Sequence, residues 1–77
     1  MNKLTKIFKD VYAEQDIQLR PELHIRELEN WNSFNHISMM INLETTYGVI
    51  FSSGDIEKIN TVGDLLSILK EKGITNP

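Results

Sequence analysis

The segment Trp31-Asn32-Ser33-Phe34-Asn35-His36-Ile37-Ser38-Met39-Met40-Ile41-Asn42-Leu43-Glu44-Thr45-Thr46-Tyr47-Gly48 decides the fold. At about 100° per residue, His36, Met39, Met40, Leu43 and Tyr47 share one arc of a helix, and Phe34, Ile37 and Ile41 share a second. Ser33 and Glu44 fall between the two. The pattern predicts a helix over Ser33–Tyr47, opened by Asn32 as N-cap and closed by Gly48 in a left-handed conformation. Trp31 stands one residue ahead of the cap, where it can pack on His36 as a hydrophobic staple. A surface helix ordinarily shows one apolar stripe. Two stripes mean either a helix sandwiched between neighbours, or one stripe for the core and one for a partner or a buried substrate chain.

With Asn32 as the cap, Ser33 takes the first helical position. There, unpaired backbone N–H groups and the positive end of the helix dipole favour a phosphate. Spacing alone favours the plainer reading of an ordinary first-turn serine.

Before this helix, Leu4, Ile7, Phe8, Val11 and Tyr12 recur at helical spacing and predict an amphipathic helix from about Asn2 to Ala13. Lys3, Lys6 and Lys9 read as its solvated face. Glu14–Asn32 keeps no helical period and contains Pro21, but Leu19, Leu23, Ile25 and Leu28 offer apolar anchors. A long loop tied down by buried side chains is expected, and such loops are often functional.

After the helix, Val49-Ile50-Phe51 predicts an extended connector. Ser52-Ser53-Gly54-Asp55 is turn chemistry that leads into a short helical turn over Ile56–Ile59. Thr61 with Asp64 three residues on resembles a capping box for a last helix. That helix carries Val62, Leu65, Leu66 and Leu69 on one side and ends near Gly73, with Ile74–Pro77 frayed. The expected fold is all-α: a small four-helix bundle of three main helices and one short one, with a long loop between helices I and II. No paired strand, internal repeat or low-complexity segment is expected.

Composition narrows the function. The 77 residues suit a single domain, 1–77, with 40% hydrophobic residues, enough for a core. Cysteine is absent, which removes disulfides and thiolate metal sites. Eight basic and eleven acidic side chains give a net charge of −3, against nucleic-acid binding. No apolar run approaches the roughly 20 residues of a membrane span, and Met1–Asp10 is too polar for the core of a secretory leader. A cytoplasmic protein without membrane insertion is expected. His24 and His36 have neither triad nor metal-ligand spacing, so a hydrolase is a weak reading and no metal is expected.

Asn32-Ser33-Phe34, opening a helix after a long anchored loop, resembles the Asp-Ser-Leu motif of acyl carrier proteins, with Asn32 and Phe34 replacing the usual aspartate and leucine. Trp31 ahead of the serine and His36 three residues after it are similar to the surroundings of that motif in some specialised carriers. Ile56-Glu57-Lys58-Ile59-Asn60-Thr61-Val62-Gly63-Asp64-Leu65 resembles the family's short third helix and the start of its fourth. The likeness runs from about Leu4 to Gly73.

That resemblance implies a non-catalytic carrier whose Ser33 receives 4′-phosphopantetheine from coenzyme A through a phosphopantetheinyl transferase. The arm's thiol would hold an acyl group as a thioester and deliver it to acyl-loading and acyl-processing enzymes, in a specialised fatty-acid, polyketide or related pathway, with the protein a monomer. The implied partner surface is Asn32, Phe34, Ile37 and Ile41, with Asp55 and Glu57 as acidic contacts. The implied acyl-chain pocket is Met39, Leu43, Ile56 and Ile59, each of which also reads as ordinary core. The resemblance also implies that the motif aspartate helps hold magnesium at the modifying enzyme. The second helix of the family is usually rich in acids, and here it keeps only Glu44. Two other readings stand beside this one: a peptidyl or aminoacyl carrier, and an unmodified carrier-like interaction module.

Overall fold

A computed structural model describes residues 2–77. Helix α1, Asn2–Tyr12, buries Leu4, Phe8 and Tyr12 at four-residue spacing, with Ile7 and Val11 half-buried beside them. Lys3 and Lys6 face solvent as expected, Lys9 is partly covered, and Lys6 pairs with Asp10 at 3.1 Å. Ala13 turns the chain out of the helix at φ 52°, and Asn30 Nδ2 donates to the freed Tyr12 carbonyl at 2.7 Å. Terminal helix carbonyls lack an intrahelical donor, so this side chain is a cap from the far end of the loop.

The long loop is anchored as predicted, more tightly than its apolar residues alone required. Ile17 and Ile25 are buried, and Leu19, Leu23 and Leu28 are half-buried. A short 3-10 turn covers Ile25–Glu27. Backbone bonds join the loop to the last helix's first residues and the segment just ahead of them: Ile25 N–H to Asn60 O (2.8 Å), Val62 N–H to Leu23 O (3.0 Å) and Gly63 N–H to Pro21 O (2.9 Å). His24 and Thr61 form an isolated antiparallel bridge here. A Cβ on Gly63 would sit 3.1 Å from the Pro21 carbonyl, so glycine is what lets the two segments approach.

Helix α2, Ser33–Tyr47, has the predicted bounds and both predicted caps. Asn32 Oδ1 accepts from Asn35 N–H at 2.7 Å, and Gly48 closes the helix at φ 66°. Helix α3 runs Ser53–Lys58, not Ile56–Ile59. Ser52 and Asp55 exchange side-chain and backbone bonds at 3.0 Å as a capping box and start the helix ahead of the apolar residues. Helix α4, Val62–Glu71, opens on the expected box of Thr61 and Asp64. It buries Val62, Leu65 and Leu69, and also Ile68, while Leu66 is only half-buried.

The C-terminal segment is not frayed. Ile74 N–H bonds Leu69 O at 2.9 Å, and Tyr47 Oη donates to Pro77 O at 2.8 Å. The architecture is the expected all-α bundle of four helices, without a paired strand among the described residues. One apolar core joins α1, α2, α4, Ile17 and Ile25 of the loop, and Ile59.

Candidate functional site

The site is built around the first turn of α2. Asn32 is extended, at φ −156°, and its side-chain oxygen takes the Asn35 N–H while its carbonyl takes the His36 N–H at 2.9 Å. The N–H groups of Ser33 and Phe34 have no acceptor among the described residues, and no acidic side chain lies in this turn. Ser33 is exposed, and its hydroxyl takes part in no hydrogen bond among the described residues. The result is a reachable hydroxyl next to two unspent donors at the positive end of a 15-residue helix.

Just behind Ser33, Trp31 and His36 do pack together, but by polar contact as well as by ring overlap. Their ring centroids are 5.7 Å apart, and Trp31 Nε1–H donates to His36 Nδ1 at 3.2 Å. Nδ1 therefore carries no proton, and the neutral ring's N–H is at Nε2, which donates to the Ile56 carbonyl of α3 at 3.3 Å. His36 is 4% exposed. Burial pushes its pKa below the ordinary histidine value, the Ile56 bond acts in the opposite direction, and the Arg26 guanidinium lowers it further. Arg26 lies 5.4 Å over the Trp31 ring and is fixed by Asn60 Oδ1 at 2.7 Å and by the Glu57 carbonyl at 3.4 Å.

The two stripes of α2 separate cleanly. His36, Met39, Met40 and Leu43 are buried and Tyr47 is half-buried, whereas Phe34, Ile37 and Ile41 are 80, 45 and 56% exposed. The sandwiched-helix reading is thereby excluded: the second stripe faces solvent. Of the residues expected to receive an acyl chain, Met39, Leu43 and Ile59 are fully buried in the core and Ile56 packs half-buried against it. All four belong to or pack against the one apolar core, and the seam where α2 meets α3 is marked by the His36–Ile56 bond.

The acidic residues are less available than their number suggests. Asp55 is spent on its capping box and on Lys72, whose Nζ is 3.1 Å away. Glu44, on α2 itself, accepts the Phe51 N–H at 2.8 Å. Glu57 is exposed. Sequence reasoning gave no role to Arg26, an isolated loop arginine, or to Ile50, which is 80% exposed. A signal for Ile50 existed: Val49, Ile50 and Phe51 alternate half-buried, exposed, buried, the period of an extended chain.

The solution structure of a holo acyl carrier protein from Geobacter metallireducens superposes with a TM-score of 0.83 at 31% identity, over 92% of this chain and 82% of that one. The chain belongs to the acyl carrier protein family. An acyl carrier protein from Thermotoga maritima is 25% identical over 71 residues, 92% of this chain and 88% of the relative. No family model matches the sequence. Family membership covers α1 through α4, so Asn32-Ser33-Phe34 is read within a carrier-protein fold and not as an isolated tripeptide.

Proposed function

We propose that Ser33 accepts 4′-phosphopantetheine and that the chain carries an acyl group between enzymes. The observation that carries this reading is the exposed Ser33 hydroxyl beside the unspent N–H groups of Ser33 and Phe34, in a first turn without an acid. A phosphodiester on that oxygen would meet two donors and the helix dipole. The Geobacter relative is described as holo, that is, as bearing its prosthetic group. When bound, the group supplies a terminal thiol able to hold an acyl chain as a thioester.

The chain's own residues position and expose; they do not catalyse. No described side chain bonds the Ser33 hydroxyl, so activation falls to the modifying transferase. Phe34, Ile37 and Ile41 form an apolar surface beside the attachment point, suited to docking partner enzymes, with Asn32 at its edge and Glu57 as the exposed acid. Tethering converts transfer between sites into an intramolecular event at effective concentrations on the order of mM. Met39, Leu43, Ile56 and Ile59 would shelter an acyl chain only after the α2–α3 seam opens, since three of the four have no exposed surface.

One pair of facts favours a second reading, an unmodified interaction module: Asn32 stands where the motif has its aspartate, and Glu44 is tied to the Phe51 N–H. Intact mass after coexpression with a broad-specificity phosphopantetheinyl transferase decides. A mass gain of one arm, lost in Ser33→Ala, is expected. No gain with several transferases would leave the interaction module standing.

A further inference from the structure

We propose that His36 is a latch on the seam between α2 and α3: neutral, it closes the Ser33 end of the seam, and protonated, it releases Trp31 and lets an acyl chain in. This rests on the carrier reading for the cargo, but not for the latch itself. His36 lies on the buried arc of α2, one turn nearer Ser33 than Met39, and its Nε2–H bonds the Ile56 carbonyl of α3 at 3.3 Å. Among the described residues it is the side-chain hydrogen bond that joins α2 directly to α3. His36 is about one helical turn from Ser33, so an arm tethered there and directed toward Met39 and Leu43 passes this bond.

The latch is closed from the other side by Trp31. Its indole N–H needs an acceptor, and Nδ1 serves only while it is unprotonated. A proton on Nδ1 sets two donors against each other at 3.2 Å and places a full charge on a ring that is 4% exposed. A stronger Ile56 bond recovers only part of the cost of a buried charge beside Arg26, so the charged ring swings out toward solvent and gives up both the Trp31 and the Ile56 bonds.

The charged surroundings are few. From the loop, Arg26 lies over Trp31 and repels an imidazolium. From α3, Glu57 is exposed and contributes its backbone carbonyl to Arg26. On α2 the acid is Glu44, two turns away and engaged with Phe51 N–H. On α1, Tyr12 is pushed up to about 12 and stays neutral throughout the histidine range. Among the described residues no carboxylate bonds the ring to stabilise a proton on it.

The latch is tested on the chain without its arm by NMR from about pH 8 down through the point at which the His36 ring itself charges, which burial places below the ordinary histidine range. The Trp31 indole N–H and the Met39 methyl should shift with the same midpoint as the His36 ring, and exchange of the indole proton should rise about tenfold beyond the pH dependence of its intrinsic rate. His36→Gln keeps a donor and an acceptor but cannot charge, so its indole signal should lose the transition. With a medium-chain acyl group loaded on the Ser33 arm, the Met39 and Leu43 methyl groups should report the acyl chain at the acid end in the wild type, and not at either end in His36→Gln. An indole signal indifferent to His36 titration, or acyl contacts equal at both ends of the range, would overturn the latch. Failure of the carrier reading shows separately, as absence of the Ser33 mass gain, and leaves the titration of the unmodified chain to be judged by itself.

Discussion

Lys72 Nζ lies 3.1 Å from Asp55 Oδ2, joining the end of α4 to the first turn of α3. The same carboxylate oxygen accepts the Ser52 N–H at 3.0 Å, and Lys72 also sits 5.7 Å over the Phe51 ring. α3 is six residues long and contributes no fully buried side chain, so its position depends on its ends. Isolated helices of that length are not stable in water.

The first prediction concerns this junction in acid. The Ser52 N–H, and next the Lys72 ammonium, hold the Asp55 carboxyl below its ordinary range. A depressed carboxylate contributes stability that is complete above the unfolded value of about 3.9 and is lost as pH falls through the folded value. Asp55→Asn should therefore melt below the wild type at neutral pH, with the gap closing in acid. Lys72→Met should lower the melting temperature less, because the capping box survives. Melting curves across the acid range check both, and a gap that persists below the folded value would refute the assignment.

Tyr12 gives a prediction of opposite sign. Its ring is buried 5.9 Å from that of Phe8, yet its hydroxyl has no partner among the described residues. An unsatisfied buried hydroxyl costs about 1–3 kcal/mol, so Tyr12→Phe should stabilise the fold by about 1 kcal/mol. Burial pushes the phenol up to about 12. The folded state thus prefers the neutral form, and stability falls as pH rises from the ordinary tyrosine value toward that figure. Tyr12→Phe should remove this part of the alkaline loss. A destabilised variant in urea titrations would show that the hydroxyl has a partner after all.

What could be read from the sequence was mainly what neighbours along the chain decide. α2 was legible to the residue because Asn32 caps through a backbone group three residues away and Gly48 alone suits φ 66°. The start of α3 is set by Ser52 and Asp55, whose capping box begins the helix before its first apolar residue, so the apolar pattern alone points too far along the chain. Ile74 is held locally, by Leu69 O past the positive-φ Gly73, but the anchoring of Pro77 depends on Tyr47, 30 positions earlier, and leaves no local trace. The same applies to the site. Ser33 and the two stripes follow from one helix, whereas the grip of Arg26 on Asn60 spans 34 positions and appears only once the loop is folded.

Asn32→Asp tests the most conspicuous departure from the family motif. Asp and Asn cap helices about equally well, so the Asn35 N–H stays satisfied and stability should change by about 0.5 kcal/mol or less. If a carboxylate here assists metal-dependent docking of the transferase, Asn32→Asp should be modified severalfold faster with the same transferase and magnesium. Equal rates from intact-mass time courses would show that the carboxylate is immaterial to this chain.

The last prediction concerns how partner enzymes hold the protein. Phe34, Ile37 and Ile41 are exposed on α2, while Glu44 is engaged by Phe51 and Asp55 by Lys72. Long-range charge chiefly sets association rates and salt sensitivity, whereas desolvated apolar anchors set dissociation rates. Affinity for a partner should therefore change little with ionic strength and depend strongly on these side chains. Ile37→Ala should cost about 1–3 kcal/mol of affinity, on the scale of an interface anchor, while fold stability changes by about 0.5 kcal/mol or less, as at other surface positions. Met39→Ala, in the closed core, should show the reverse, losing about 2–5 kcal/mol of stability. Ile50→Ala asks whether the docking surface extends past α2: its 80% exposure predicts no loss of fold, so any loss of affinity belongs to the interface. Binding that collapses in moderate salt, or an Ile37→Ala protein that melts early, would count against apolar docking.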